Sequence, residues 1–403
     1  MLESKSTAVM ALAVALAGAG TAVAQEASVT SLEIAGMVFE DLNENGSHDE
    51  GEPGIADVRV SDQVTVVSTG VDGRFLLRSE NGHGLVFVSQ PSGYRVRGQF
   101  WRRGSPGSID ANLLFPLVRT GKIDEFTFIH ASDPHLAEET LPRMRRLREI
   151  VAEKMPAFVL ITGDLIEDAL RVQEDVATGL YELLDSELQS FPVPVWTAVG
   201  NHEIFGIERH KSLVSSEHPL YGKKMYRHYL GPNYYSFDFG GVRFVCLDTV
   251  AIADLWYHGY VDAVQMAWLQ EDLASVEPDQ PVITFNHIPL LTAGASIFGY
   301  SEDETTPLFL TIDDEPRYRH IVGNTEAVLA ELRQHRYSLA LAGHFHTREK
   351  LFFETGGMQT RFHLASAVKG DYLGALGLQM VSGATLYRVS NGEIDDGTFI
   401  PLD

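Results

Sequence analysis

The chain has 403 residues, enough for two or three domains, and its 44% apolar and 21% charged side chains give the balance of a globular protein. A net charge of −24 repels polyanions at long range, so nonspecific nucleic-acid binding, which needs lysine and arginine against phosphates, is set aside. The single cysteine, Cys246, excludes an internal disulfide framework and reads as a small buried residue on a strand.

Residues 1–24 read as a cleaved signal peptide. Lys5 precedes an apolar run of about a dozen residues, and Thr21-Ala-Val-Ala24 supplies an A-x-A cleavage pattern. The run is too short to span a bilayer comfortably, so the expectation is a periplasmic or secreted protein with no stable membrane insertion.

Residues 31–118 alternate short β-rich runs with Gly, Asn, Asp and Pro clusters, and no helical period appears. This predicts a small antiparallel β-sandwich domain. Within it, Asp41, Asn43, Asn45, Ser47, Asp49 and Glu52 place side-chain oxygens around Gly46 with the spacing of a twelve-residue calcium loop. Flanking strands rule out an EF-hand. The stretch resembles the calcium-stapled turns of bacterial surface β-sandwich modules. Two readings stand: a structural Ca²⁺ site, or an Asn/Asp turn held by its own hydrogen bonds.

From Ile123 to the end the texture is α/β, with helical periods at Glu139–Lys154, Val172–Gln189, Val261–Ala274 and Thr325–His335. Five apolar runs between them end in polar residues: Asp133-Pro-His135, Gly163-Asp164, Gly200-Asn201-His202-Glu203, His287 and Gly343-His344-Phe-His346. Ligands of open α/β sheets bind at that edge. Alternate residues of an extended chain point the same way, so His344 and His346 are expected to reach one centre. Two long irregular stretches, 204–235 and 291–320, each follow one of these motifs and are expected to form substrate walls. Arg361–Leu364 and Gly383–Val389 read as short closing strands.

These five blocks, in this order over about residues 123–366, resemble the calcineurin-like metallophosphoesterase superfamily. The N-terminal sandwich and Tyr229-Leu-Gly-Pro-Asn-Tyr-Tyr-Ser-Phe-Asp238 are similar to a secreted bacterial branch of it. The resemblance implies a four-layer α/β (α+β) fold over 123–403, two packed mixed β-sheets flanked by helices, after the all-β domain. It also implies two divalent transition-metal ions. Asp133, His135, Asp164 and His346 would bind the first, with Asp164 bridging, and Asn201, His287 and His344 would complete the second. His202 would stabilise the transition state or protonate the leaving oxygen, with Glu203 expected to hold its ring nitrogen.

The residue types make chemical sense without the family. Two carboxylates contribute −2 and two divalent ions +4, so the site carries about +2 and complements a phosphate ester. Mixed nitrogen and oxygen donors accept Mn, Fe or Zn by availability. A purple ferric site is not expected, because Glu167 stands where that branch of the superfamily has its tyrosine. The expected activity is hydrolysis of small phosphorylated substrates, monoesters ahead of diesters. The competing reading is a cell-surface binding or adhesion protein with a non-catalytic phosphoesterase-like domain. The sequence sets no oligomeric state.

Overall fold

The computed structural model describes residues 32–79, 82–104, 113–298, 308–312, 314–374 and 377–402. The expected signal peptide, 1–24, lies outside them. Among the described residues no helix is long and apolar enough to cross a membrane.

The first β-rich region forms two four-stranded sheets. One has the order Arg74–Ser79, Leu32–Glu40, Leu113–Arg119, Tyr94–Val96, and the other the order Val66–Ser68, Arg59–Ser61, Leu85–Val88, Trp101–Arg103. Val38, Val60, Leu77, Val86, Val88, Phe115 and Leu117 pack between them. The region is not purely antiparallel. Leu32–Glu40 and Leu113–Arg119 run parallel, with Gly36 opposite Leu113 and Glu40 opposite Leu117. The chain enters and leaves the region in the same direction, so its first and last strands pair only after a crossover.

The α/β part holds two mixed six-stranded sheets. The first has the order Val195–Ala198, Phe158–Thr162, Glu125–Ala131, Gly383–Ser390, Glu393–Ile394, and Thr398–Pro401 also pairs with Gly383–Ser390. The second has the order Tyr235–Phe239, Val242–Cys246, Pro281–Phe285, Arg336–Ala342, Met358–Leu364, Glu349–Thr355. Their inner faces meet through aromatic rings. Phe158 lies 5.2 Å edge-on from Phe244, and Trp196 stacks on Phe237 at 4.1 Å. Burying several such side chains, each worth roughly 1.5–3 kcal/mol, holds the sheets face to face.

Helices cover the outside. Leu141–Lys154 buries Met144, Leu147, Ile150 and Val151, and Glu174–Gln189 buries Ala177, Tyr181 and Leu184. Both pack on Ile129, Val159 and Ile161 of the first sheet. The i, i+3, i+4, i+7 spacing of those apolar positions makes the helices amphipathic. Ala263–Leu273 starts at Asp262, whose carboxylate accepts the Gln265 N–H at 2.8 Å and caps the helix. It and Thr325–Leu332 cover the second sheet through Trp268, Leu269, Val328 and Leu332.

The β-rich region shares that core. Leu85, Phe87 and Trp101 belong to the same buried cluster as Phe158, Trp196 and Phe244. Arg243, fully buried, donates to Ser89 Oγ at 3.0 Å, Ser236 Oγ at 2.8 Å, Asp238 at 3.1 Å and Asp272 at 2.5 Å.

Candidate metal centre

The strands Glu125–Ala131, Phe158–Thr162, Val195–Ala198, Pro281–Phe285 and Arg336–Ala342 stop at one edge of the two sheets, and a polar residue follows each. The turns are tight. Gly163 has φ +84, and a Cβ there would sit 2.7 Å from the His287 ring. A Cβ at Gly343 would stand 1.9 Å from Ser132 Oγ and 2.6 Å from Asp133 Oδ2. Only glycine lets these backbones approach so closely.

The residues after the strands are themselves left-handed. Asp133, His135, Asp164, His344 and His346 have φ of 52, 41, 47, 75 and 57°. Five of the seven expected ligands thus occupy a region that L-residues avoid, and such strain is characteristic of functional sites.

Two donor sets converge. One atom each of Asp133, His135, Asp164 and His346 lie within 4.8 Å of one another, and so do atoms of Asp164, His287 and His344. In the first set His346 Nε2 is 3.2 Å from Asp133 Oδ1 and 3.1 Å from His135 Nε2, and His135 Nε2 is 3.7 Å from Asp164 Oδ2. In the second, His287 Nε2 is 3.1 Å from each of Asp164 Oδ1, His344 Nδ1 and Asn201 Oδ1. Donors bound to one ion at about 2.1 Å stand about 3.0–3.4 Å apart, so the 3.1 and 3.2 Å spacings fit shared cations, and of these pairs only His135–Asp164 is wider. Asp164 turns one oxygen to each set and so joins them.

His344 and His346 therefore face different sets. Both line the one cavity, but on different sets rather than side by side, because neither residue is extended. Their left-handed φ values rotate successive side chains away from the alternation of a strand.

The electrostatics favour cations. Asp133, Asp164 and His287 are buried, with 0–2% of their surface exposed. Burial pulls the His287 imidazole down, and the Asp164 and Asp133 carboxylates outweigh it and hold it at about 9. Burial, with the His202 and His346 rings against it, keeps His135 at about 3, in the neutral form that ligates metals.

His202 lies beside the first set. Its ring is 4.5 Å edge-on from that of His135, and Nε2 is 3.8 Å from Asp164 Oδ2. Nδ1 donates to the Glu167 carbonyl, which leaves Nε2 toward a cavity of about 390 Å³. His135, Asp164, Asn201, His344 and His346 line that cavity.

The family model described as "Calcineurin-like phosphoesterase" matches residues 126–348, more than half of the chain. The chain belongs to the calcineurin-like phosphoesterase family. A second model, described as the N terminal of calcineurin-like phosphoesterase, matches residues 42–115. A curated relative from Rhodococcus erythropolis, described as a probable cyclic nucleotide phosphodiesterase, is 24% identical over 174 residues, 40% of this chain and 52% of its own. The chain thus spans about half the length of that relative. Among solved structures, a dimetal phosphatase from Danio rerio aligns with a TM-score of 0.44 at 17% identity, over 69% of this chain and 99% of its own. GAP50, described as the anchor in the inner membrane complex of Plasmodium, aligns with a TM-score of 0.40 at 12% identity, over 70% and 86%.

In this calcineurin-like phosphoesterase-family chain Glu203 does not hold His202, as the sequence suggested. Adjacent residues on a turn point apart, and the Glu203 side chain turns inward, fully buried. Its carboxylate accepts four backbone N–H groups: Asp164 at 3.0 Å, Leu165 at 2.7 Å, Ile166 at 3.2 Å and Gly200 at 2.6 Å. Glu203 thereby clamps the Asp164 turn to the Asn201 turn. Burial and the Asp164 charge push Glu203 up to about 8, while the Ile166 and Gly200 N–H groups pull it back.

The second imidazole nitrogens of three ligand histidines, His287, His344 and His346, are also tied. His287 Nδ1 donates to the Thr162 carbonyl at 2.8 Å, His344 Nε2 meets His320 Nδ1 at 2.8 Å, and His346 Nδ1 meets Tyr372 Oη at 2.5 Å. Such contacts fix the ring and tautomer of a ligand. His320, Tyr372, Tyr257 and Lys369 had no motif to announce them; Tyr257 and Lys369 line the cavity.

The expected walls are redistributed. No residue of 204–235 lines the cavity. Tyr226 is buried on Thr197, Tyr229 stacks on Tyr181 at 4.9 Å, and His218 contacts Glu174, so the stretch packs against the first sheet and its helix. Of the 291–320 stretch, 299–307 and 313 lie outside the described residues, and the described part reaches the centre through His320 and through Arg319, which lies 4.6 Å over the Tyr257 ring.

The calcium-like loop shows internal hydrogen bonds. Asp41 accepts from the Asn45 and Gly46 N–H groups at 3.1 and 2.8 Å, and Asn45 Oδ1 from the Ser47 N–H at 2.7 Å. Asp49 accepts from the Asn43 and Asn45 amides, both at 2.8 Å, and Glu52 from the Leu42 and Asp49 N–H groups, both at 2.9 Å.

Proposed function

We propose that this protein hydrolyses phosphoric esters of small molecules with two divalent transition-metal ions. The observation that carries the reading is Asp164, one oxygen in each donor set, beside His202 and an open cavity. Asp133, His135, Asp164 and His346 would hold one ion, and Asp164, Asn201, His287 and His344 the other. Bound ions of this kind supply a hydroxide at neutral pH and neutralise phosphoryl charge.

The chain supplies the rest. The Glu203 clamp fixes the spacing of the two turns, and His320, Tyr372 and the Thr162 carbonyl orient the ligand rings. His202, anchored through Nδ1, presents Nε2 to the cavity, where it stabilises charge on the phosphoryl group or gives a proton to the leaving oxygen. Mn²⁺, Fe²⁺ and Zn²⁺ all suit this donor set.

We assign monoesters as the preferred substrates. Diesters are the second reading, motivated by the Rhodococcus relative's description as a probable cyclic nucleotide phosphodiesterase. The test is turnover of p-nitrophenyl phosphate and bis-p-nitrophenyl phosphate with added Mn²⁺, with and without a chelator. Failure to hydrolyse either ester would overturn the assignment.

The charged start, apolar run and A-x-A pattern of the first 24 residues support export to the periplasm or medium. An intact N-terminus on protein recovered from the producing cells would refute it. The spacing of the 41–52 loop supports a structural Ca²⁺. On this reading millimolar Ca²⁺ raises the melting temperature of the full chain, and Glu52→Gln removes the response. An unchanged melt makes the loop a hydrogen-bonded turn only.

A further inference from the structure

The segment after the last strand of the second sheet, residues 366–372, wraps the first donor set. Ala367 bridges to Ser132, the Val368 N–H donates to the Ser132 carbonyl at 2.9 Å, and the Lys369 N–H to the Asp133 carbonyl at 3.3 Å. These bonds place the Lys369 side chain on the cavity wall. Its Nζ lies 4.7 Å over the Tyr372 ring, whose hydroxyl holds His346. The cation–π contact supports the ammonium without neutralising it.

Lys369 is the one lysine or arginine lining the cavity among the described residues, and it forms no ion pair with any of them. The neighbouring Asp371 carboxylate accepts the Ser382 N–H at 2.6 Å. The carboxylates that act on Lys369 are Asp133 and Asp164, both within the donor sets. Glu167 also lines the cavity, but it is exposed and its charge is screened by water. A half-buried ammonium thus faces a cavity built for phosphate and has no protein anion of its own.

A monoester dianion and a diester differ at one terminal oxygen. The first carries negative charge there, and the second an ester carbon. At equal distance a cation gains about twice as much Coulomb energy against two charges as against one. A wall carrying an ammonium therefore separates the two substrate classes, whereas a diester site needs room and contacts for the second ester group.

We propose that Lys369 is the specificity-determining contact of this site: its ammonium receives the third terminal oxygen of a phosphate monoester dianion and sets the preference for monoesters over diesters. The inference rests on the proposed phosphoesterase function and narrows its substrate class.

The test compares the full chain with Lys369→Gln and Lys369→Arg, each loaded with Mn²⁺. The substrates are p-nitrophenyl phosphate and methyl p-nitrophenyl phosphate, which share a leaving group. The first readout is the ratio of their kcat/KM values. Titration calorimetry with inorganic phosphate and with dimethyl phosphate is the second, and metal content the third. In Lys369→Gln the ratio should fall about tenfold or more, the scale of one hydrogen bond to a charged group. Inorganic phosphate should weaken by a similar factor and dimethyl phosphate by much less. Lys369→Arg should restore most of both, with two ions bound throughout. An unchanged ratio overturns the proposal. So does an equal loss for both esters accompanied by loss of metal, which would make Lys369 a prop for Tyr372 and His346. Should the unmutated protein turn over neither ester, the proposed function fails, and the phosphate titration still judges Lys369 by itself.

Discussion

Asp164 is the residue on which both donor sets depend. Its two oxygens face His135 at 3.7 Å and His287 at 3.1 Å, and one also accepts the His202 N–H at 2.9 Å. Asp164→Asn keeps the shape and removes the charge, so both ions should bind more weakly together. Metal analysis of the purified variant decides it: two ions per chain with normal turnover would contradict the shared role. His202→Ala should behave differently and keep both ions while losing rate by roughly 10²–10⁴-fold. The loss should be smaller for p-nitrophenyl phosphate than for an alkyl phosphate, because a good leaving group needs little protonation. Equal losses would leave His202 with charge stabilisation only.

At the scale of elements, the clamp between the Asp164 and Asn201 turns is the most exposed to a single change. Glu203→Gln replaces one acceptor oxygen by an NH₂ group, which would face two of the four N–H donors in a buried space. Leaving a buried donor without its acceptor costs about 1–3 kcal/mol. The melting temperature should drop and both donor sets should lose affinity, since the clamp sets their separation. A melt and metal content like those of the parent chain would show that the turns hold without it. The apolar runs before Asp133, Asp164, Asn201, His287 and His344 were legible in the sequence, because buried parallel strands read as continuous hydrophobic stretches. The direction of Glu203 was not, since a turn erases the period that tells one side from the other. Tyr257, His320, Lys369 and Tyr372 sit on a hairpin or in irregular segments, where no spacing rule assigns a neighbour. The parallel pairing of Leu32–Glu40 with Leu113–Arg119 joins strands far apart in the chain and leaves no local trace.

For the whole molecule, acid is a predicted weakness. Burial holds His130 at about 3 and His363 at about 4, and neutral contacts, Thr162 Oγ1 at 2.9 Å and Tyr387 Oη at 2.8 Å, accept them uncharged. Unfolded histidine titrates near pH 6.5, so below that pH the unfolded chain takes protons that the folded one refuses. Each such group should remove about 1.4 kcal/mol per pH unit from about 6.5 down to about 4. Unfolding free energies measured from pH 7 to 5 should fall more gently in His363→Gln than in the parent, and parallel slopes would refute the assignment. The buried Arg243 web has another consequence. It ties Ser89 of the β-rich region to Ser236 and Asp272 of the α/β part, and Phe87 and Trp101 complete the aromatic core from the same side. A chain begun at residue 120 would show water a raw aromatic face and should be recovered mainly as insoluble aggregate, an outcome that a simple expression and sedimentation comparison reads. The two halves could then be exchanged between related proteins only as a single cassette, so recombination across their junction would be punished at the level of solubility before any chemistry was lost.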